Sequence, residues 1–432
     1  MRIVVYEDLG VENLEPLALS RPAFDLRCGA ASLLDRQRRY AAATAVSVVV
    51  RPFLAAFTAL LHPELSVNGR GERSALAGRF EDGLAAGTRL LVNARWLPPA
   101  GTVPPPRSPH IGLVGEQVAY VALPPEPLPD GSPAAVADYI ESCRQRLPVR
   151  AAGGRMIDYL WDLIEANVEA LEQDYEDWKG HGVPSAAAVV GPRERLVVKT
   201  GARLDPLVAI DTTAGPVLID QGAVVRSFSV LEGPCYVGAG TQVLGARVRS
   251  SALGPCCKVG GEVEASIIHG YSNKAHDGFV GHSYVGEWVN LGAGTQISDL
   301  RNDYGPVTVP VAGRKVNTGL TKVGAFLGDH SKTGLGVLVN TGTAVGPFGH
   351  LLASGSLLPK EVPAFCSVWH GQLQDRADFR QLFTTAAAVL RRRGQEWTEQ
   401  HADFFLALYE RTAVYRRQVL RESEQRRLRR SG

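Results

Sequence analysis

From Ile219 onward, aliphatic side chains recur at every sixth position, at Val225, Leu231, Val237 and Val243, with small or turn-forming residues close by (Gly222, Gly233, Gly238, Gly240). The same phase returns at Phe279, Val285, Leu291 and Ile297, with Ile267 between, and again at Leu327, Thr333, Val339 and Val345 after an interruption near 299–322. A helix repeats its apolar face at three and four residues and an alternating strand at two, so a period of six fits neither. It fits a solenoid better than a β-sandwich with regular turns. Each hexad then supplies one short flat strand and a turn, three hexads close a triangular coil, and the sixth-position aliphatic points inward onto the coil below. Residues 207–351 give room for about eight such coils, less the interruption. Flat outer faces would let the prisms pack side by side as oligomers.

Upstream, the pattern changes. Short β-branched runs at 2–6, 45–50 and 89–92 alternate with Ala/Leu/Arg-rich helical stretches such as 30–43, which predicts an α/β domain with a partly parallel sheet. Residues 98–135 are dense in Pro and Gly, and 156–177 read as a long amphipathic helix. After Pro363 the pattern becomes helical again, with Phe404, Leu408, Tyr415 and Val419 on one face. The expected division is an α/β domain over 1–180, a hexapeptide-repeat β-helix over 190–365 and a helical tail over 370–432.

Composition adds exclusions. The 432 residues, 45% hydrophobic and 21% charged, suit two or three folded units and no disordered or collagen-like class. Lys and Arg number 46 against 44 Asp and Glu, so no global attraction to nucleic acid or an anionic membrane is expected. The eight Arg and two Glu between Arg411 and Gly432 fit a docking helix with a solvated basic end better than a phosphate or nucleic-acid contact. The N-terminal strand turns polar at Glu7-Asp8 and no run of 18 apolar residues occurs, so a cytoplasmic protein is expected. Six cysteines without a C-x-x-C pair point to buried thiols rather than disulfides or zinc.

One block is specific. His276-Asp-Gly-Phe-Val-Gly-His-Ser-Tyr-Val-Gly-Glu-Trp-Val-Asn-Leu-Gly-Ala-Gly-Thr295 closely resembles the acetyltransferase domain of the bifunctional N-acetylglucosamine-1-phosphate uridyltransferase/glucosamine-1-phosphate acetyltransferase family. That family carries His-Leu-Thr-Tyr-Leu-Gly-(x)4-Gly-x-x-Val-Asn-Ile-Gly-Ala-Gly-Thr at the same spacing. Gly-Tyr-Ser-Asn-Lys-Ala-His-Asp-Gly-Phe (270–279) and Arg-Pro-Ala-Phe-Asp-Leu-Arg-Cys-Gly (21–29) resemble its divergent bacterial branch, over nearly the whole chain. The resemblance implies a Rossmann-like α/β nucleotidyltransferase-like domain followed by a left-handed parallel β-helix and an α-helical tail.

It also implies chemistry. Acetyl transfer from a thioester to an amine needs a base for the ammonium proton, and an unperturbed His titrates near neutrality. By the resemblance His276 matches the general base, Asn290 a substrate-orienting residue and Ala293 a position lining the acetyl-CoA cleft. Phe279 replaces a substrate-binding Tyr. Two sugar-phosphate-binding bases fall on Ala246 and Glu264, with Arg247, Arg249 and Lys274 close enough to substitute. Asn302-Asp-Tyr304 resembles an Asn-Tyr that touches the acetyl donor. Taken alone, His276 would read as a surface turn residue, and His269, His282 and His330 have no motif support.

In the first domain, Leu14-Glu-Pro-Leu-Ala-Leu-Ser-Arg-Pro22 resembles the segment that follows a phosphate-cradling Gly-rich loop in sugar nucleotidyltransferases. The loop itself is acidic (Glu7-Asp-Leu-Gly-Val-Glu-Asn13), Ala23 stands where a Lys is expected, and Arg95 where a Mg²⁺-binding Asp is expected. Either Arg21, Arg27 and Arg95 form a rearranged phosphate site, or the domain only binds or scaffolds. For Arg21 and Arg27 the structural alternative is capping of helix ends or pairing with Asp25 and Glu15. The expectation that the resemblance implies is a homotrimer that N-acetylates glucosamine-1-phosphate with acetyl-CoA and then transfers uridylyl from a nucleoside triphosphate, with Mg²⁺, to give UDP-N-acetylglucosamine, the metal ligands being unassigned. The alternatives are a sugar-1-phosphate nucleotidyltransferase with a purely oligomerising β-helix, and a non-catalytic nucleotide-sugar-binding scaffold.

Overall fold

The computed structural model describes residues 1–69, 88–104, 106–123, 132–182, 185, 187–352, 355 and 357–431. The strand runs expected near the N-terminus form the centre of a seven-stranded sheet. In chain order these strands are β1 (Arg2–Tyr6), β2 (Ala45–Val49), β3 (Ser66–Val67), β4 (Thr88–Asn93), β5 (His110–Val114), β6 (Gln117–Ala122) and β7 (Val149–Ala151). They lie side by side in the order β7-β5-β6-β4-β1-β2-β3. Both neighbours of β1 run parallel to it, while β5 and β6 form an antiparallel hairpin inside the Pro/Gly-rich stretch. Strand β1 is apolar on both faces because both are covered. Ile3 and Val5 join the core shared with α1 (Leu33–Tyr40), and Val4 and Tyr6 the core under a helix at Pro133–Arg146. Ser32 and Asp35 form a capping box that starts α1.

From Ala188 the chain winds into a left-handed parallel β-helix with three faces. The first face runs from Ala188–Val190 to Leu338–Val339 in eight strands, and the second from Leu196–Val198 to Glu361–Val362 in nine. The third begins at Arg203–Leu204, and single bridges through Asn273, Asn290 and Lys332 join its lower and upper strands. The excursion at 299–322 holds an antiparallel hairpin, Thr308–Val311 with Arg314–Asn317.

The inward column corrects part of the period. Val248, Leu253, Val259, Val263, Ile268, Lys274 and Val280 face inward between Val243 and Val285, so Phe279 and Ile267 lie one position off the axis. Corners shorten there, giving steps of four or five residues. The shortening adds up to six residues, one whole hexad, so the phase is restored at Val285.

One outer face is closed within the chain rather than left for oligomers. Val197, Leu218, Tyr236, Ala252, Ile267, Tyr284 and Phe326, outward on the second face, are buried against the α/β domain. Its long helix (Leu160–Trp178) brings Trp161 to Phe326 and Trp178 to Tyr236, at ring separations of 6.2 and 5.9 Å. Each such aromatic contributes about 1.5–3 kcal/mol by burial, so this face accounts for much of the domain docking.

The corner between the second and third faces carries an aromatic ladder of Tyr271, Trp288, His330, Phe348 and Phe365. Each has a positive φ, and successive rings stack at 4.4, 6.4, 4.6 and 5.4 Å. The helical tail (Phe379–Arg391, Glu399–Arg411, Ala413–Ser431) caps the upper rungs with Phe379, Trp397 and Phe405. It also reaches the α/β domain, where Phe404 stacks on Phe57 at 4.1 Å. No helix of the described residues is long and apolar enough to cross a membrane.

Candidate functional site

The specific block folds onto one edge of the prism, the corner between the third and first faces. Residues 273–274 form a third-face strand, 275–278 turn the corner, and Phe279–Gly281 begin the first face. Ala293 turns the same corner one coil on, and the Gly294 N–H donates to the Asp277 carbonyl at 2.9 Å. Gly278 has φ +136°, and a Cβ there would lie 2.2 Å from the Thr295 carbonyl oxygen, so coil spacing requires glycine after Asp277. His276 is exposed on this edge, with no side-chain hydrogen bond among the described residues. Phe279 lays its ring over Gly281, and Gln296, one coil on, accepts from the Phe279 N–H at 3.0 Å. Asn290 lies on the third face, where its Oδ1 accepts from Asn273 Nδ2 at 2.7 Å. An open groove runs along the edge past Phe228, Arg247, Glu262, Asp277, Phe279 and Gln296.

Other expected site residues are placed elsewhere. Asn302 and Tyr304 occupy an exposed turn clamped by Arg301 and Asp303, and among the described residues no hydrogen bond or ring contact joins them to the motif. Lys274 points into the β-helix, where Nζ donates to the carbonyls of Gly260 at 2.6 Å and His276 at 3.0 Å. Burial pulls its pKa down to about 8, against the opposing charges of Asp277 and Glu262. It supports the corner from inside, and its ammonium is spent on that corner rather than on a substrate. Arg247 is paired with Glu232 at 2.8 Å and Arg249 with Glu264 at 2.6 Å, so both offered cations are balanced by carboxylates along the ladder.

A dyad that the sequence did not reveal lies at the other end of the same strand. His282 Nδ1 is 2.6 Å from Asp299 Oδ2. Burial would raise the Asp299 carboxyl, but the bond to His282 and the charges of His282 and Lys322 hold it below its usual range. The two are one coil apart, 17 residues, as are the paired Val280 and Ile297. That spacing was the available signal, and it is legible only once the local coil length is known.

Arg21 and Arg27 lie at the joint between the two domains, away from any open phosphate site. Arg21 is buried between the α/β domain and the second face. It contacts His269 Nε2 at 2.5 Å, Asp329 at 2.7 Å and Glu287 at 3.2 Å, and Ser20 donates to Asp329 at 2.6 Å. Arg27 donates to the carbonyls of His269 and Ala30, and its backbone N–H to the Tyr284 hydroxyl at 2.7 Å. These arginines dock the two domains, because a charge with no water must be met by acceptors already in the interface.

Burial, then the charges of Arg21 and Arg27, push the His269 pKa well below its ordinary value. His269 is therefore neutral, accepting from Arg21 at Nε2 and donating from Nδ1 to the Tyr284 hydroxyl at 2.9 Å. His330 is likewise held low by burial. The unfolded chain protonates these rings near pH 6.5 while the folded chain refuses the proton. Stability is thus full above about pH 6.5 and falls below it, by about 1.4 kcal/mol per pH unit for each such ring. A urea midpoint that declines from pH 7 to pH 5, with a shallower decline in His269→Gln, is the expected result.

In the α/β domain, the carboxyl edge of β1 and β4, where nucleotides bind such sheets, is filled by ion pairs. Asp8 and Asp158 each bond Arg95 at 2.7 Å, and Arg51 bonds Glu7 at 3.0 Å. A Cβ on Gly10 would lie 2.4 Å from the Arg95 guanidinium, so the acidic loop rests directly on that side chain. The Ala23 N–H is held by Glu7 at 2.9 Å. The loop is acidic because it closes on Arg51 and Arg95. A Mg²⁺ does not fit here as the side chains stand, since a guanidinium sits between the two carboxylates. Among the described residues no three His, Cys, Asp or Glu side chains gather as metal ligands. Among the described residues none of the six cysteines is in a disulfide.

Comparison with known proteins agrees with this frame. Residues 3–180 match the family model described as sugar nucleotidyl transferase. The bifunctional sugar-1-phosphate nucleotidylyltransferase/acetyltransferase of Sulfurisphaera tokodaii is 38% identical over 101 residues, covering 23% of this chain and 25% of that protein. The bifunctional protein GlmU of Methanocaldococcus jannaschii is 34% identical over 194 residues, covering 43% and 40%. The matches thus span between a quarter and two fifths of these relatives' lengths. Among solved structures, the polySia-specific acetyltransferase NeuO aligns with 48% of this chain and 97% of its own, at 12% identity and a TM-score of 0.21. Residues 3–180 therefore match the sugar nucleotidyl transferase family, on a chain that resembles the bifunctional nucleotidylyltransferase/acetyltransferases.

Proposed function

We propose that the protein makes a nucleotide sugar in two steps on two domains. On the β-helix, the amine of glucosamine-1-phosphate attacks the thioester carbonyl of acetyl-CoA. A C–N bond forms, the C–S bond breaks, and the amine proton leaves to His276 as the thiolate departs. Asn290 orients the sugar, Ala293 leaves room for the acetyl donor, and Phe279 offers a ring face. On the α/β domain a phosphate oxygen of the product N-acetylglucosamine-1-phosphate then attacks the α-phosphorus of UTP; that P–O bond forms as the α–β phosphoanhydride bond breaks, giving UDP-N-acetylglucosamine and pyrophosphate. The observation that carries the first step is the convergence of His276, Phe279 and Ala293 on one groove-lined edge. The second rests on the family match of residues 3–180.

The test follows free thiol from acetyl-CoA and pyrophosphate from UTP with the full chain. Thiol release that requires glucosamine-1-phosphate supports acyl transfer, and its absence from folded protein overturns it. One observation favours a second proton acceptor. His282 has the orienting carboxylate that His276 lacks, and in its neutral form, with Nδ1–H bonded to Asp299, its Nε2 carries the free lone pair.

The same edge supports assembly as a homotrimer. Leu207, Phe228 and Leu335 project from it with 71–75% of their surface exposed, on either side of the motif. Neighbouring prisms would bury them and close the groove. Leu207→Glu with Phe228→Glu is expected to turn a trimer into monomers by light scattering, with circular dichroism unchanged. A wild type that is monomeric at micromolar concentration would refute the assembly.

A further inference from the structure

The three cations offered by the sequence for a sugar phosphate are committed, Lys274 to backbone carbonyls and Arg247 and Arg249 to carboxylates. Basic side chains without a carboxylate partner are found on the outer third face instead. Lys332 lies directly above Asn290 in the register and His350 directly above Lys332. Arg376 follows the strand Gln372–Asp375 that closes the face, and its backbone N–H is held by Phe365. The Lys332 Nζ is shut off from solvent and has no hydrogen-bond partner among the described residues. Neither Lys332 nor His350 has a carboxylate partner among the described residues, and the acid felt by Arg376 is Asp378. Burial lowers the proton affinity of all three, and Arg376 lowers that of Lys332 and His350 further. Below this column, Asn290 has its Oδ1 engaged and its Nδ2 free among the described residues.

A buried ammonium without an acceptor is a group that proteins rarely leave so. We propose that Lys332, His350 and Arg376, with the Asn290 amide at their foot, form a binding site for a phosphate group. Lys332 swings its flexible stem outward to meet the phosphate, exchanging an unpartnered position for charge-assisted hydrogen bonds. Under the proposed acyl transfer, on which the identity of the ligand rests, the phosphate belongs either to the acceptor sugar or to the acyl donor. Both are phosphate esters, and the column begins at the residue assigned to orient the acceptor.

The site is tested first without turnover, by thermal unfolding of the full chain in chloride and in inorganic phosphate at matched ionic strength. Phosphate is expected to raise the Tm of the wild type but not of Lys332→Met or Arg376→Gln. In chloride, Lys332→Met is expected to melt no lower than the wild type, because it removes an unpartnered charge. Equal phosphate shifts in all three proteins, or a lower Tm for Lys332→Met in chloride, would overturn the site. Kinetics then separate the sources. A KM for glucosamine-1-phosphate that rises about 10- to 100-fold in Lys332→Met, with the KM for acetyl-CoA unchanged, assigns the acceptor's phosphate. The converse, with S-acetylpantetheine unaffected, assigns the donor's. Neither KM changing overturns the inference. A wild type that is stabilised by phosphate yet releases no thiol keeps the site and removes the acyl-transfer reading.

Discussion

Asp329→Ala is expected to cost about 3–5 kcal/mol of stability, the usual loss when one member of a buried ion pair is removed and the other stays buried. Asp329 is 4% exposed and accepts from three donors: Ser20 Oγ at 2.6 Å, Arg21 Nη2 at 2.7 Å and the Glu287 N–H at 2.7 Å. Without it, the Arg21 guanidinium keeps only Glu287, at 3.2 Å, and neutral His269 as partners. The loss is concentrated at the joint between the α/β domain and the β-helix. Urea unfolding should therefore show an early transition of the α/β domain rather than a uniform shift. Asp303→Ala is the control, since that carboxylate pairs with Arg301 on an exposed turn and its removal should leave the midpoint where it was. Equal midpoints for Asp329→Ala and the wild type would show that the joint is held by the apolar second face alone.

His276→Gln is expected to lower kcat/KM for thiol release by about 10²-fold or more, the scale of a lost general base. The loss should fall on kcat rather than KM, because proton removal is needed in the transition state and not in the bound substrate. His282→Gln is the matched comparison. If His276 is the acceptor, this second variant changes kcat by a few-fold at most, through the packing of Asp299. If the large loss appears there instead, and Asp299→Asn reproduces part of it, the oriented imidazole is the base. Equal, small effects from both would remove acid–base catalysis by either histidine.

Sequence and structure part company at particular residues. The six-residue period named the β-helix, but it misassigned Phe279 and Ile267, because corners of the central coils lose residues that the eye restores in whole hexads. The His276-to-Thr295 block was legible as a unit, since Gly278 and Gly292 mark corners where a Cβ would strike the next coil. Lys274, Arg21 and Arg27 were read as ligand cations because they stand within recognisable segments. A sequence shows that a charge is present and not where its partners lie. Asp329 and Glu287 are roughly 300 and 270 residues from Arg21, a separation no local pattern encodes.

What the sequence by itself determined was local and periodic: three inward columns, glycine corners, the strands of the α/β sheet and a helical tail. These follow from side-chain direction and backbone sterics over a few residues. What only the tertiary structure decided was which outer face is covered and which charges are spent. The second face is closed by the α/β domain, the acidic loop is neutralised by Arg51 and Arg95, and the Lys332 Nζ is left without a hydrogen-bond partner among the described residues. Burial and pairing are sums over every neighbour in space, and those neighbours are assembled only when the chain has folded.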